Sequence, residues 1–476
     1  MRRQWGLSGG YFMEVADRPD SFVVDAGRTP ATSAEEPLSG LSRLFAFAVV
    51  FLAGWYLCLP ETEVAVPWWA VKHKVGGVLL HEAVFALYLG LGGARIIWRR
   101  ALPAHYVTRS VAMCLVLLAI WCAVASMLGP LPLHDWGRSA RLVMMAVLLL
   151  GVTHWSASDP LFVLRTFLFG LVAASAVNLT LSFMNPVILA AGALPRLMGQ
   201  NSPGPPMGIA VCLAAWLILL SRRRNDAVFA VSITAVCGAG AMISYSKTGM
   251  LAALLGFLSV ALVAGRVASS RRGHVLVLAL IAVIVGGSVY LRGEAGRRML
   301  AGLTIMIREK IESAQVDQSV SMQERLSYYR GVTEIVTRYP VGVGYSGFRD
   351  AMMRTAAYQT GLAADESAIP QADSNPHGFF LYYAAAGGIV GGALAATAFL
   401  LLCAAVLRAL LPYGVSGVLL AASCVVAYMV LASSVAYLLN SPVMLLPSGI
   451  AAGLYAHQSL PGRSPGPRVR GSSGLA

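Results

Sequence analysis

Apolar runs of about 20 residues, separated by short polar connectors, fill most of the chain, a pattern typical of transmembrane helices. A single long polar stretch, from Leu291 to Gly378, interrupts the pattern. The sequence therefore predicts an all-α, polytopic membrane helix bundle of about 12 transmembrane helices, with one large helical loop between spans nine and ten. The predicted spans are 43–60, 75–97, 107–128, 139–155, 161–183, 205–221, 226–243, 249–265, 274–291, 379–405, 414–436 and 441–458.

These spans divide the chain into five segments. Polar tails are expected at residues 1–42 and 459–476, on either side of the apolar region. Spans one to nine occupy 43–291, the helical loop 292–378, and spans ten to twelve 379–458. The loop holds ten of the 22 acidic residues, although only 12% of the chain is charged. This concentration of charge makes the loop the first place to look for chemistry.

The composition excludes an ordinary soluble domain, in which about 25% of residues are charged. Here 57% of residues are hydrophobic and the net charge is +14. Because the basic clusters lie in short connectors between apolar runs, they indicate membrane orientation rather than binding to nucleic acid. All seven cysteines lie inside apolar runs and none forms a C-x-x-C pair, so we expect them to be core residues.

The basic connectors alternate along the chain, which predicts the orientation. Arginine-rich connectors after spans two, six and eight fall on the same side as both tails, and the positive-inside rule makes this side cytosolic. The exception is the pair Lys72 and Lys74, which this topology places outside. Both termini are therefore expected in the cytosol and the large loop on the opposite, periplasmic side.

The loop itself is predicted to be folded. Apolar residues at helical spacing from Met299 to Ile311 predict an amphipathic helix at the membrane surface. A capping box, Ser321 to Glu324, predicts the start of a second helix, and a third is expected from about Gly347 to Thr360. The glycines at 342, 344 and 347 spell G-x-G-x-x-G, but no buried strand precedes them, so they predict a turn rather than a dinucleotide site.

Four places on the predicted outer side combine a cation or a histidine with small or flexible residues. Their candidate site residues are Arg196, Lys247, the group Arg325, Tyr329 and Arg330, and the pair Asn375 and His377. Each residue alone has an ordinary structural explanation, such as a snorkelling cation or a helix boundary. Their joint occurrence on one side of the membrane favours a site.

In these residues the chain resembles the O-antigen ligase and O-antigen polymerase family of bacterial inner-membrane glycosyltransferases. The resemblance covers roughly residues 160 to 400. It is carried by the turn from Arg196 to Pro203, the Ser246-Lys247-Thr248-Gly249 turn, and His377 before a glycine-rich span. The Ser-Lys-Thr turn is more familiar from polymerases than from ligases, which favours a polymerase slightly. Family members usually carry Asn after the histidine, whereas Gly378 follows it here and Asn375 precedes it.

The resemblance implies transfer of a glycan from a polyprenyl (undecaprenyl) diphosphate to an acceptor hydroxyl at the periplasmic face. Arg196, Lys247 and Arg325 would stabilise the departing diphosphate, because preplaced cations favour developing negative charge. His377 would act as the base, since histidine titrates near neutral pH. No metal and no cofactor are then required. The expected partners are the lipid-linked glycan, a glycan or lipid acceptor, membrane lipid and other polysaccharide assembly proteins.

Two other functions remain open from the sequence. A polyprenyl-monophosphate-dependent glycosyltransferase would use a carboxylate base, for which Glu61, Glu63 and Asp135 are the candidates. A transporter or lipid-linked glycan flippase would explain His81 and Glu82 inside the second span, because ionisable residues within a membrane are usually functional. The sequence shows no internal repeat of the kind that transporters usually have.

Overall fold

A computed structural model describes residues 40–59, 74–75, 78–94, 106–128, 132–184, 203–221, 223–244, 246–267, 320–359, 378–433 and 438–459. Within these ranges the chain is almost entirely helical. The helices, numbered in chain order, are α1 Gly40–Cys58, α2 Leu80–Tyr88, α3 Tyr106–Ser126, α4 Pro132–Ser158, α5 Pro160–Met184, α6 Gly204–Leu220, α7 Arg224–Ile243, α8 Lys247–Val267, α9 Val320–Arg338, α10 Phe348–Met353, α11 Phe379–Leu410, α12 Gly414–Ala432 and α13 Pro442–Gln458.

Short irregular elements complete the described fold. A two-stranded antiparallel hairpin, β1 Lys74–Val75 and β2 Val78–Leu79, leads into α2. The π-helical turn Leu89–Gly93 extends α2, and a 3₁₀ turn, Leu411–Tyr413, joins α11 to α12. The hairpin was not predicted, because a four-residue polar-to-apolar transition carries no strand periodicity.

The prediction of an all-helical membrane protein is confirmed for the described residues. Six helical stretches among them are long and apolar enough to cross a membrane, the last of which joins α11 and α12. Every predicted span except the ninth overlaps a described helix, although the hairpin occupies the start of the second, and 274–291 lies outside the described residues. The count of twelve crossings and the arrangement of the large loop therefore stay predictions.

Large apolar side chains from nearly all of the spanning helices meet in one continuous core. Trp155 and Trp216 are among its largest fully buried side chains. Six of the seven cysteines are buried, as their apolar surroundings predicted. Close helix contacts use glycine: at Gly54 and Gly170, where α1 crosses α5, an added Cβ would overlap the backbone of the opposing helix.

Polar contacts distinguish the two ends of the bundle. At one end, which we call the arginine end, Arg43 pairs with Asp159 at 3.6 Å. Arg165 donates two hydrogen bonds to Asp226, of 2.7 and 2.6 Å. The opposite end holds the C-terminus of α1 and the N-termini of α2, α4 and α11. By the charge rule the arginine end is predicted to face the cytosol.

Candidate functional site

The opposite end contains a short segment that joins α9 to α10, residues Tyr339 to Gly347, which we call the docking loop. Two of its glycines have positive φ, 101° at Gly342 and 72° at Gly344. An L side chain rarely adopts such a backbone, so glycine is needed at both positions. The sequence prediction of a turn here, rather than a dinucleotide site, agrees with this backbone.

The docking loop is hydrogen bonded to a break in α11. Gly388 has φ 61° and ψ −153°, which interrupts the helix within its third turn. The Val343 and Gly344 amides donate to the carbonyls of Ala385 and Ala386, at 3.1 and 3.0 Å, and the Ile389 amide donates to the Pro340 carbonyl at 3.2 Å. The loop thus pairs with backbone groups that a helix break exposes, which are costly to leave unpaired in a membrane.

Helices α3 and α4 hold the same region from the other side. The Trp121 indole donates to the carbonyl of Gly387 at 2.7 Å. On α4, a single carboxylate oxygen of Asp135, Oδ2, accepts hydrogen bonds from both the backbone amide and the hydroxyl of Ser346, each at 3.0 Å. Asp135 is fully buried. The docking loop is therefore clamped between α11 and α4.

An aromatic stack lies beneath the clamp. The rings of Tyr345 and Tyr382 are stacked with centroids 5.5 Å apart. The Arg138 guanidinium lies 5.9 Å from the centre of the Tyr345 ring, and its Nη1 is 3.5 Å from the Tyr382 hydroxyl. Burial raises the pKa of Tyr345 well above its ordinary value, so this tyrosine remains neutral at working pH.

Helix α9 lies along the first turns of α11. Its apolar face includes Tyr328, Val332 and Ile335. These side chains belong to one buried cluster with Ala385 of α11, against which Leu381 and Ala384 of the same helix also pack. Tyr329 and Arg330 are on the opposite face and are exposed, Tyr329 by 51%. This packing determines which face of α9 is turned toward solvent.

Hydrogen bonds to α9 also fix the helical turn that follows α10. The Glu334 carboxylate accepts from the amides of Ala356 and Ala357, at 2.7 and 3.0 Å. These donors begin the helical turn at 356–359, part of the third helix that was predicted to run to about Thr360. The predicted second helix is α9. The amphipathic helix predicted from Met299 lies outside the described residues.

The turn that begins α8 is likewise held by side-chain hydrogen bonds. Ser246 precedes the helix, and its hydroxyl accepts from the Gly249 amide at 3.1 Å, as an N-cap residue does. Lys247 is the first residue of the helix. A Cβ added at Gly249 would lie 2.6 Å from the backbone of Gly204, so the start of α6 touches this turn.

The predicted site residues are described to different extents. Tyr329 and Arg330 have described, exposed side chains on α9. Lys247 and Arg325 have described positions at the start of α8 and within α9, but their side chains lie outside the described part of the chain. Arg196, Asn375 and His377 lie wholly outside it; Gly378, the residue bonded to His377, precedes α11. The convergence of these groups therefore stays a prediction.

The structure accounts for Glu82 and shows the surroundings of His81, two residues that the sequence left unexplained. Arg141 on α4 pairs with Glu82 at 2.6 Å, and Glu82 also accepts from the Leu79 amide at 2.8 Å. His81 is fully buried beside Tyr56, with ring centroids 6.1 Å apart. Glu82 thus ties α2 to α4. An acidic residue near the end of one apolar helix and an arginine on another are the sequence signal for such a tie.

The docking-loop contacts of Asp135 and Arg138 were not predicted. Hydropathy predicted the fourth span at 139–155, whereas α4 begins at Pro132. The polar residues in the first turns of this helix lower its local hydropathy, so the sequence pattern assigned them to a loop. Asp135 was considered only as a candidate base. The available sequence signal for these contacts was the pair Asp135 and Arg138, closely spaced on a helix that follows an apolar run.

Part of this chain matches a known protein family. Residues 232–396 match the family model described as O-Antigen ligase. The matched region runs from within α7 to within α11, and so includes α8, α9, the docking loop and the break at Gly388. No curated protein matches the chain. The predicted resemblance to the O-antigen ligase and polymerase family is therefore confirmed, over residues 232–396.

Proposed function

We propose that this chain is a membrane glycosyltransferase that moves a glycan from a polyprenyl (undecaprenyl) diphosphate to an acceptor hydroxyl at the periplasmic face. The observation that carries the proposal is the family match over residues 232–396. This region contains most of the candidate site residues, namely Lys247, Arg325, Tyr329, Arg330, Asn375 and His377, while Arg196 precedes it. The reaction is the polymerisation or ligation of O-antigen or exopolysaccharide, with polymerisation slightly favoured.

The chemistry requires two kinds of side chain. Breaking the bond between sugar and phosphate leaves a multiply charged diphosphate, which Arg196, Lys247 and Arg325 would stabilise as the charge develops. The acceptor hydroxyl loses its proton as it attacks the anomeric carbon. His377 would take up that proton, from the face of the sugar opposite the diphosphate. Tyr329, Arg330 and Asn375 would hold the substrate in place.

The described backbone supports this arrangement. Lys247 is at the first turn of α8, whose N-terminal amides and dipole favour an anion. Arg325 and the exposed Arg330 are on α9, which packs on α11, and His377 is bonded to the residue that precedes α11. The helix that carries Arg325 and Arg330 is therefore packed against the helix that begins just after His377.

The alternative functions have less support. Asp135, a candidate base for a monophosphate-dependent enzyme, is buried and accepts two hydrogen bonds from Ser346. Glu82, the main reason to consider a transporter or flippase, is paired with Arg141. Both carboxylates thus have structural partners, so neither requires a second activity to explain its presence.

The proposal places the protein in the bacterial inner membrane as a multi-pass protein with both termini in the cytosol. Its substrates would be the lipid-linked glycan and a glycan or lipid acceptor. The proposal is tested by removing the protein from cells and identifying the lipid-linked glycan that accumulates. Single repeat units would indicate a polymerase, and long chains would indicate a ligase. Unchanged lipid-linked glycan and unchanged surface polysaccharide would contradict both.

Transfer should survive treatment with EDTA. In the proposed mechanism the side chains Arg196, Lys247 and Arg325 supply the positive charge that a divalent metal would otherwise provide. The measurement is the transfer rate of the purified protein, assayed with a lipid-linked donor before and after chelation. A rate that disappears with EDTA and returns with added Mg²⁺ would contradict the prediction.

A further inference from the structure

We propose that Asp135 is a positioning residue for glycan transfer, which fixes the docking loop and through it the face of α9. This inference rests on the proposed function, because it concerns the geometry of the same site. It adds a residue from outside the matched region 232–396, on a helix to which no functional residue has been assigned.

The first step of the argument is that Asp135 contacts the loop with high specificity. One oxygen of its buried carboxylate accepts both hydrogen bonds from Ser346, each at 3.0 Å. A Cβ on Gly344 would lie 2.9 Å from the same oxygen and 2.8 Å from the Cα of Ser126. The loop backbone is therefore pressed against α3 and α4, and only glycine at position 344 permits the approach.

The second step is that the loop transmits this position to both halves of the proposed site. On its N-terminal side it is the direct continuation of α9, which carries Arg325, Tyr329 and Arg330. On its other side it is hydrogen bonded to Ala385, Ala386 and Ile389 of α11. The three backbone hydrogen bonds leave the loop little freedom to move relative to α11.

The third step concerns the attachment of α9. In the described residues its buried face packs with α10, the docking loop and the first turns of α11, and its Glu334 accepts hydrogen bonds from the turn at 356–359. Its exposed face bears Tyr329, Thr333, Thr337 and Arg338. Without Asp135 the loop would lose the two hydrogen bonds from Ser346 to α4 and keep the contact between Arg138 and the Tyr345 ring, so the direction in which α9 presents its cations would be less restricted.

This arrangement explains why a carboxylate is buried at the start of a spanning helix. A buried carboxylate is unfavourable unless it is hydrogen bonded, and here one loop residue, Ser346, supplies two donors to Asp135. Small displacements of groups around a reacting centre lower rates strongly, by about 100-fold for about 1 Å. A residue that touches no substrate therefore still controls the rate.

The test replaces Asp135 with alanine in the full-length protein and measures kcat and KM with a lipid-linked donor. We expect kcat per folded protein to fall by about 10- to 100-fold. Amide hydrogen exchange over residues 339–347 should become at least about 10-fold faster, because the loop opens more often. Exchange in α13 should not change. The matched control is Asp226→Ala, which removes a carboxylate at the arginine end and should leave kcat within about twofold.

Ser346→Ala provides a second variant if Asp135→Ala does not fold. It removes the hydroxyl hydrogen bond and keeps the one from the backbone amide, so we expect a smaller fall in kcat, of about two- to fivefold, with faster exchange in the same loop. A folded variant with wild-type kcat, or one with lower kcat and unchanged loop exchange, would overturn the proposal. If the wild type itself transfers no glycan, the proposed function fails instead, and the exchange data still report on the clamp.

Discussion

Replacement of His377 with alanine is expected to lower the rate of glycan transfer by about 10²–10⁴-fold, the usual contribution of general base catalysis. In the proposed reaction the acceptor is a hydroxyl, which is not a strong nucleophile at neutral pH until its proton is removed. His377 is the proposed group for this step, since an imidazole has an ordinary pKa of about 6.5 and is largely neutral at pH 7. Binding of the lipid-linked donor should change little, because the cations remain.

The measurement is single-turnover transfer by the purified protein in lipid nanodiscs. In the wild type the rate should fall as the pH drops below the pKa of the histidine, because the protonated ring no longer accepts a proton. In the variant this acid limb should disappear along with most of the rate. Loss of the pH dependence separates a base from a residue that only supports the fold.

A second histidine gives the matched control. His457 lies at the arginine end, where its Nδ1 is 2.8 Å from the carbonyl of Ala157. His457→Ala removes an imidazole of the same chemistry from the opposite end of the bundle, and should leave both the rate and its pH dependence unchanged. If His377→Ala retains more than half of the wild-type rate, the assignment of the base is wrong.

The positions of the spanning helices were predictable because burial in a membrane imposes one simple pattern. A spanning helix satisfies its own backbone hydrogen bonds, so about 20 apolar residues are sufficient to identify it. The starts of the helices were less predictable. Helix α4 begins at Pro132 rather than at 139, because Asp135 and Arg138 find partners in the docking loop that hydropathy does not consider.

The break in α11 was not predicted either. The spacing of Gly387, Gly388, Gly391 and Gly392 is typical of small residues that let helices pack closely. Gly387 fits that interpretation, because an added Cβ would contact Cys122 and Trp121 of α3 at 3.2 and 3.3 Å. Gly388 does not, since it has positive φ and is surrounded by the docking loop. The difference depends on a loop more than 40 residues earlier in the chain, which no local pattern records.

The sequence predicted the type of chemistry at the candidate site, but not the residues that hold the helices of that site in place. Cations and a histidine on one predicted side indicated the chemistry, and the family match includes most of them. The residues that hold their helices, such as Asp135, Trp121 and Glu334, have no chemical signature of their own. They are recognisable only from the contacts that they make.

Gly388→Ala is expected to reduce both stability and activity strongly. The residue has φ 61° and ψ −153°, a conformation essentially restricted to glycine, and an L residue there costs about 1–3 kcal/mol. In addition, a Cβ at this position would overlap the carbonyl oxygen of Pro340. Relief of the overlap requires the docking loop to move away from α11, at a further cost of about 1–3 kcal/mol. The free energy of unfolding should therefore fall by about 2–6 kcal/mol.

The matched control is Gly137→Ala, in α4 two residues after Asp135. No atom lies within 4 Å of a Cβ added at Gly137, and its φ is not positive, so alanine should leave stability unchanged or raise it by up to about 1 kcal/mol. Thermal stability of both variants is measured by size-exclusion chromatography of detergent-solubilised protein after heating. Transfer is assayed only on the fraction that remains folded.

If Gly388→Ala is as stable and as active as Gly137→Ala, the docking loop does not hold the break in α11. A stable Gly388→Ala variant with a low transfer rate would instead mean that the contact between the docking loop and α11 matters more for the site than for the fold. Loss of this contact would then displace α9 without unfolding the bundle.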